Sequence, residues 1–336
     1  MKIFRPSYYD DFRCLAGYCP DSCCHEWDVQ VDGEAANRYL SLAGPLGDTL
    51  RQKLKREEDG EYYLQITDHR CPMWRRDGLC EIQYQLGEEG LCKVCHEFPR
   101  LRHDYGDFVE LGLELSCPEA ARLMLTAKPC PPVVEEAGDE GEAEYDEEAM
   151  EILLRTRACA LEILADYPLP EALTLLLLYA YRAQEELDGG ETAVLDVAAD
   201  LALARQVAQA GDAKALRAFY LGLDNLTPRW KARLENPDPL NIWSEELRAM
   251  ARCAVERYWL QAVSDYDLTC RVKMIIASCL LVRDLGNNVI ETAQLYSKEI
   301  DNSAENVDAV LDAAYTEPAL TDANLLGLLS AQSYPK

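Results

Sequence analysis

Apolar residues recur every three or four positions through most of the second half of the chain. This spacing places them on one side of a helix, and several segments follow Ser, Thr, Asp or Pro, which are typical of helix starts. The pattern predicts six helices, at 147–167, 170–187, 192–210, 212–223, 244–263 and 269–285. Because no repeat of fixed period is present, we expect an irregular helical bundle rather than a solenoid.

The first 130 residues have a mixed pattern. Polar and apolar residues alternate within 27–32, 60–67 and 106–116, as they do in short strands. Asp32 is placed to cap a helix that begins near Glu34. The predicted fold class is therefore mostly α, with a small, loop-rich α+β domain that carries clustered cysteines and a C-terminal irregular helical bundle.

An acidic segment separates these two parts. Residues 131–149 begin with two prolines and contain nine Asp and Glu but no Lys or Arg, a composition typical of a solvated linker. A chain of 336 residues is long enough for two hydrophobic cores. We expect a cysteine-rich metal or iron–sulfur domain at 1–130, an acidic linker at 131–149 and an all-helical domain at 150–336.

The charge and the apolar runs limit the possible partners. A net charge of −27 argues against binding to nucleic acid, which depends on clustered Lys and Arg, although it would attract a basic substrate or simply maintain solubility. No apolar run reaches the roughly 18 residues of a membrane helix, and the N-terminus lacks the apolar segment of a signal peptide. We therefore expect a cytoplasmic protein that binds neither nucleic acid nor membranes. Its oligomeric state stays open.

Cysteine has the most unusual distribution of any residue type. Nine of the fourteen cysteines precede residue 118, and these are Cys14, Cys19, Cys23, Cys24, Cys71, Cys80, Cys92, Cys95 and Cys117. In a reducing compartment such clustering predicts metal binding or thiol chemistry. The other five are scattered, and four of them, Cys159, Cys253, Cys270 and Cys279, fit the role of small buried hydrophobic residues.

The cysteine spacing does not choose between zinc and an iron–sulfur cluster. It matches neither the paired Cys-x2-Cys motifs of zinc ribbons nor the compact four-cysteine run of bacterial ferredoxins. Nine thiols exceed the ligands of one four-coordinate site, so either some are not ligands or there are two centres. Adjacent Cys23 and Cys24 point in different directions, which disfavours their binding the same iron.

Three blocks of the sequence resemble a known family. They are FRCLAGYCPDSCCHEWDVQVD (12–32), CPMWRRDGLCEIQYQLGEEGLCKVCHEFPR (71–100) and LSCPEAARLML (115–125). These blocks are similar to flagellin lysine-N-methylases, whose N-terminal half belongs to a wider group of zinc- or iron-chelating proteins. The similarity is close over 8–125 and loose in the helical half, through RYWLQAVSDYDLTCRVKM (257–274). His96 stands where we would expect an arginine.

The resemblance implies a reaction and a set of metal ligands. It implies transfer of methyl groups from S-adenosylmethionine to surface lysines of flagellin, in a protein that holds an iron–sulfur cluster, most simply 4Fe-4S, with zinc as the alternative. All nine early cysteines match the family. The resemblance favours Cys19, Cys23, Cys71, Cys80 and Cys95 as the ligands, because these five are also shared with the wider group.

The sequence itself contains no recognisable site for S-adenosylmethionine. A doubly wound methyltransferase has a strand, a glycine-rich turn and a later acidic residue. LAGPLGD (42–48) has the glycines but no preceding strand, so we expect a plain loop there. If the cofactor binds, an iron with an open coordination position could take its amino and carboxylate groups.

Lysine methylation requires removal of a proton, because an amine with a pKa near 10.4 is not nucleophilic while protonated. Asp265, Tyr266 and Asp267 are candidates for this role, although they fit equally well as a turn and cap before the next helix. His25 is a possible further metal ligand, whereas Trp27 is expected to pack in a core.

Two alternatives remain open. The chain could be a non-catalytic zinc- or iron-binding protein whose helical half is a scaffold for partners, since closed four-thiolate zinc sites stabilise folds. It could also be a thiol oxidoreductase that uses Cys92 and Cys95, but no thioredoxin-like strand and helix precede that pair.

Overall fold

A computed structural model describes residues 1–25, 27–57, 60–136, 138, 142–240, 242–286 and 288–330. Helices make up most of this part of the chain, and two small sheets accompany them. The predicted fold class, mostly α with a small α+β unit, is therefore confirmed. None of the described helices is long and apolar enough to cross a bilayer.

The described residues contain seven short strands in two sheets. The strands are β1 (Lys2–Arg5), β2 (Val29–Val31), β3 (Leu54–Arg56), β4 (Tyr62–Leu64), β5 (Arg100–Asp104), β6 (Phe108–Leu113) and β7 (Val133–Glu136). The first sheet has the order β5-β6-β1-β7, in which only β1 and β6 are parallel. The second sheet, β2-β4-β3, is antiparallel. Strands β2, β4 and β6 are the three that the alternating pattern predicts.

Fifteen α-helices lie in the same described ranges. They are α1 (Gly33–Ser41), α2 (Gly44–Lys53), α3 (Glu81–Leu86), α4 (Lys93–Glu97), α5 (Pro118–Thr126), α6 (Glu147–Asp166), α7 (Leu169–Leu187), α8 (Val197–Val207), α9 (Ala213–Leu221), α10 (Pro228–Glu235), α11 (Glu245–Tyr258), α12 (Thr269–Leu285), α13 (Val289–Glu299), α14 (Ala304–Thr316) and α15 (Asp322–Ser330). Short 3-10 turns at 9–11, 16–18, 88–90, 260–263 and 318–320 connect some of these elements.

All six helices predicted from apolar spacing are present, as α6, α7, α8, α9, α11 and α12. Helix α8 begins at Val197 rather than at 192, because the Asp196 side chain accepts a hydrogen bond from Ala199 N–H and caps the helix there. The second half of the chain has four other helices, α10, α13, α14 and α15, which the apolar spacing does not predict.

Two local predictions about the N-terminal part have opposite outcomes. The capping role of Asp32 is confirmed, since its Oδ1 accepts a hydrogen bond from Ala35 N–H at 2.9 Å and α1 begins at Gly33. The plain loop expected at 42–48 is wrong. Helix α2 begins at Gly44, with a proline in the first turn, where its missing N–H costs nothing.

The described residues form two hydrophobic cores of very different size. The smaller core draws on residues between 29 and 92 and includes Tyr39, Cys71 and Cys92. The larger core combines Phe108 of β6 and the inner face of α5 with the helices that follow. Residues 1–130 therefore contribute to both cores, and α5 packs against α11 and α13.

The predicted domain boundaries stay a prediction, but part of the predicted acidic linker has regular structure. Residues 133–136 form β7, which pairs with β1, and α6 begins at Glu147. Residues 137 and 139–141 of that linker, and 331–336 of the predicted helical domain, lie outside the described residues.

Candidate functional site

The structure brings the nine early cysteines into one network of interacting thiols, called here the cysteine site. Each cysteine either changes the pKa of at least one other cysteine or has its own pKa changed by one. The interactions fall into two groups. The first group contains Cys24, Cys71, Cys80, Cys92 and Cys95. The second group contains Cys14, Cys19, Cys23 and Cys117.

The two groups meet at Cys23, which interacts with both Cys24 and Cys95. The Cys23 thiol donates a hydrogen bond to Cys24, which raises the pKa of Cys23 and lowers the pKa of Cys24. Cys95 makes the same kind of hydrogen bond to Cys92, raising its own pKa and lowering the pKa of Cys92. The two thiols of each pair therefore lie close enough that ionisation of one disfavours ionisation of the other.

Burial also affects the thiols of the cysteine site. Burial raises the pKa of Cys71 to about 12 and the pKa of Cys117 to about 11. Cys23 and Cys95 are exposed as residues, yet burial also contributes to their raised pKa values.

Helix starts position three of the nine cysteines. Cys80, Cys92 and Cys117 are the N-cap residues of α3, α4 and α5. Backbone N–H groups in these first turns interact with the thiols and lower their pKa values, partly offsetting the effect of burial.

Backbone hydrogen bonds explain why distant segments meet at this site. Cys71 N–H donates to Cys24 C=O at 2.8 Å, which joins the first cysteine loop to the second. Asp32, the N-cap of α1, also binds the start of α4, because its Oδ2 accepts a hydrogen bond from Lys93 N–H at 2.7 Å. Tyr39 Oη donates to Gly90 C=O at 2.8 Å. These contacts fix the segment that carries Cys92 against α1.

Helix α13 attaches the cysteine site to the helical half of the protein. Lys298 Nζ donates to Asp21 Oδ1 at 2.8 Å, and Gln294 Nε2 donates to Asp21 Oδ2 at 2.9 Å and to Ser116 C=O at 2.7 Å. Lys298 also lies 5.5 Å from the centre of the Trp27 ring. Sequence reasoning missed Lys298 and Gln294, since only the fold shows that their partners lie in the cysteine loop.

The thiols suit a soft metal by their chemistry. All fourteen cysteines are free, so neither Cys23 with Cys24 nor Cys92 with Cys95 forms a disulfide. Their clustering, and the lowered pKa values of Cys24 and Cys92, match what thiolate ligation needs. Within the described ranges, no three His, Cys, Asp or Glu side chains have the geometry to hold a metal ion as they stand. Side-chain rotation would be required for ligation.

A large, mostly apolar cavity lies between the first sheet and the helical half. Its volume is about 800 Å³, and its walls come from β1, β5, β6, α5, α6, α11 and α12. The exposed segment 128–132 and Glu245 also line it, so the cavity opens to the surface there. Sequence reasoning missed this cavity, because its walls come from segments far apart in the chain.

Several charged residues interrupt the apolar walls of the cavity. Arg157 donates two hydrogen bonds to the Glu110 carboxylate, at 2.6 and 2.8 Å. Glu256 lies 3.9 Å from Arg252. Burial raises the pKa of Glu256 and lowers the pKa of His103.

The other residues singled out in the sequence have structural surroundings. Asp265 forms a two-pronged ion pair with Arg271, and Tyr266 Oη donates to Asp146. Asp267 accepts a hydrogen bond from Cys270 N–H in the first turn of α12, as the turn interpretation predicts. None of these three acidic and aromatic residues lines the cavity.

His25 and Trp27 both lie near the cysteine site. The ring of His25 packs edge-on against Trp74, with centroids 3.9 Å apart. Trp27 is partly buried against the smaller core. Of the scattered cysteines, Cys253, Cys270 and Cys279 are buried, Cys159 is half-buried and Cys130 is exposed.

Comparison with known proteins identifies relatives of part of this chain. Flagellar biosynthetic protein FliU of Salmonella muenchen is 31% identical over 131 residues, which cover 37% of this chain and 78% of FliU. The chain belongs to the flagellin lysine-N-methylase family. Proteins named lysine-N-methylase from Salmonella choleraesuis and Salmonella typhimurium are also 31% identical over 131 residues.

The match to these two lysine-N-methylases is partial. The aligned residues cover 37% of this chain and 33% of each relative, so this family member corresponds to about a third of their length. No family model matches the chain, and no solved structure resembles it.

Proposed function

We propose that this protein is an S-adenosylmethionine-dependent lysine N-methyltransferase that acts on flagellin and whose cysteines bind an iron–sulfur cluster. The observation that carries the proposal is the network of nine thiols in a chain related to FliU and to lysine-N-methylases. The family membership suggests the reaction, and the thiol network suggests the metal.

The ligands of the cluster would come from the nine residues of the cysteine site. The first group, around Cys24, contains enough thiols for a four-ligand centre, and the second group, around Cys23, contains four more. When bound, a cluster would supply an iron able to accept the amino and carboxylate groups of S-adenosylmethionine. The chain's own groups hold the cysteine loops in place, through Asp32 and Lys298.

The acidic surface suits a protein substrate that presents lysines. A net charge of −27 attracts cationic side chains and raises their local concentration. The cavity offers a pocket with an apolar lining and buried carboxyl groups, which suits an aliphatic amine.

The first test is the metal content of protein purified without oxygen. We expect brown protein with broad absorption at about 400 nm and about four irons and four sulfides per chain for each 4Fe-4S cluster. Methyl transfer from radiolabelled S-adenosylmethionine to flagellin should follow, with the label recovered in methylated lysine. C71S/C80S protein should lose methyl transfer and at least about half of its iron and sulfide, while Cys159→Ser, outside the cysteine site, should keep both.

The opposite result has a clear meaning. Colourless protein with stoichiometric zinc and no sulfide would contradict the iron–sulfur proposal and favour a non-catalytic zinc protein with a helical scaffold. Iron and sulfide without methyl transfer to flagellin would contradict the proposed substrate or reaction.

A further inference from the structure

Glu256 of α11 lines the cavity, and its carboxylate accepts no hydrogen bond from the described residues. The Glu256 side chain keeps 42% of its exposure, although burial raises its pKa. Because Glu256 also lines the cavity, its side chain is available to a ligand that binds there. A carboxylate in such a position is a candidate ligand-binding group.

The neighbouring cations do not satisfy this carboxylate. Arg252 Nε is 3.9 Å from Glu256 Oε1, which is too long for a hydrogen bond. Arg157 instead gives both of its short side-chain hydrogen bonds to Glu110. In the described part of the chain, no hydrogen bond to the Glu256 carboxylate is formed. A buried carboxylate gains most from a donor that carries positive charge.

The rest of the cavity favours an aliphatic group next to that charge. Leu161 of α6, Met250 of α11 and Leu101 of β5 contribute apolar walls, and the opening at 128–132 gives access from the surface. A primary ammonium on a flexible hydrocarbon stem combines both requirements. The lysine side chain has this chemistry.

We propose that the cavity admits the side chain of the target lysine and that Glu256 binds its ammonium group and accepts its proton. In that step one N–H bond breaks and one O–H bond forms on Glu256, which leaves a neutral amine and a neutral carboxylic acid. The amine then has the free electron pair that methylation requires. This assignment rests on the proposed function for the identity of the amine.

A filled cavity should prevent binding, and Gly112 offers a way to fill it. Gly112 lines the cavity, and it lies on the same side of β6 as Glu110. A Cβ added at this position would meet only Leu101 Cβ, at an ordinary 3.8 Å. The larger side chain of G112F therefore projects from the face of β6 that carries Glu110, toward the cavity.

The experiment compares two ligands with the same four-carbon side chain, one with and one without a terminal ammonium group. N-acetyl-lysine methylamide and N-acetyl-norleucine methylamide are titrated calorimetrically into the purified full-length protein. The wild type should bind the lysine ligand at least about tenfold more tightly, as expected for a charge-assisted hydrogen bond. E256Q should lose that preference but bind the norleucine ligand normally. G112F should weaken binding of both ligands.

A matched control has the same change of charge away from the cavity. Glu151 is exposed on α6 and does not line the cavity, so E151Q should bind both ligands as the wild type does. Thermal melting of each variant verifies that it is folded. If the wild type shows no preference for the lysine ligand, if E256Q retains it, or if G112F binds normally, the proposal is wrong.

These outcomes separate the inference from the proposed function. Binding that depends on Glu256, in protein that transfers no methyl group, would leave the amine site intact and overturn the methyltransferase proposal. Methyl transfer that E256Q retains at the wild-type rate would overturn the role of Glu256 and leave the methyltransferase proposal intact.

Discussion

Lys298 Nζ donates a hydrogen bond to Asp21 Oδ1 at 2.8 Å, although 277 positions separate the two residues. Both side chains are shielded from water, with 3% of the Lys298 side chain and 16% of the Asp21 side chain exposed. Asp21 lies between Cys19 and Cys23. The ion pair therefore ties the first cysteine loop to α13, which belongs to the helical half.

Replacement of Lys298 by Met should destabilise the protein and lower its metal content. The variant would leave the Asp21 carboxylate in a partly buried position without its cation, which costs about 3 kcal/mol in comparable buried pairs. Urea unfolding gives the free energy, and metal analysis of the purified protein gives the content per chain.

The control for this change is Lys214→Met, which removes an exposed lysine at the start of α9 and should alter neither quantity. The double variant D21N/K298M should recover part of the lost stability, since it removes the unpaired charge. Equal stability of K298M and the wild type would show that the ion pair does not hold the loop.

Replacement of Gly327 by Ala should destabilise the contact between α15 and the segment before α9. A Cβ at this position would lie 2.1 Å from Gln209 C=O and 2.9 Å from Gly211 N, so one backbone must move. Such overpacking costs about 1–3 kcal/mol, which urea unfolding can measure. Gly33→Ala is the control, because a Cβ there meets nothing within 4 Å. Similar stability changes in both variants would contradict this explanation.

The spacing of apolar residues predicted six helices, because each of them carries its apolar face within one continuous segment. The Asp32 cap could be predicted for the same reason, since donor and acceptor are three residues apart. The partners of Lys298 and Glu110 could not, because they depend on how distant segments pack. Cysteine clustering indicated the site, but the division between the groups of Cys23 and Cys24 emerged only from the fold.

The stability contribution of Asp32 should depend on pH. Hydrogen bonds from Lys93 N–H and Ala35 N–H hold the pKa of Asp32 below its ordinary value of 3.8. The carboxylate therefore binds protons more weakly in the folded state, and its contribution is present above pH 3.8 and lost as the pH falls through the lowered value. Asp32→Asn keeps a capping side chain without the charge.

We expect Asp32→Asn to be less stable than the wild type by about 1 kcal/mol at pH 7 and low salt. The difference should shrink as the pH approaches 3. Urea unfolding of both proteins across this range measures it, and Asp308→Asn, an exposed change on α14, should show no such trend. A difference that grows toward low pH would contradict the assigned sign.

The two groups of thiols should respond separately to substitution if they form two centres. C71S/C80S removes two thiols of the first group, and C14S/C117S removes two thiols of the second. With two centres, each double variant should keep about half of the metal, because the other group retains its ligands. With one centre built on the first group, C71S/C80S should lose nearly all metal and C14S/C117S should lose little. Metal and sulfide analysis on anaerobically purified proteins distinguishes these patterns. Full metal content in both double variants would exclude both groups as the ligands, because a four-thiolate centre cannot lose two of its ligands and keep its metal.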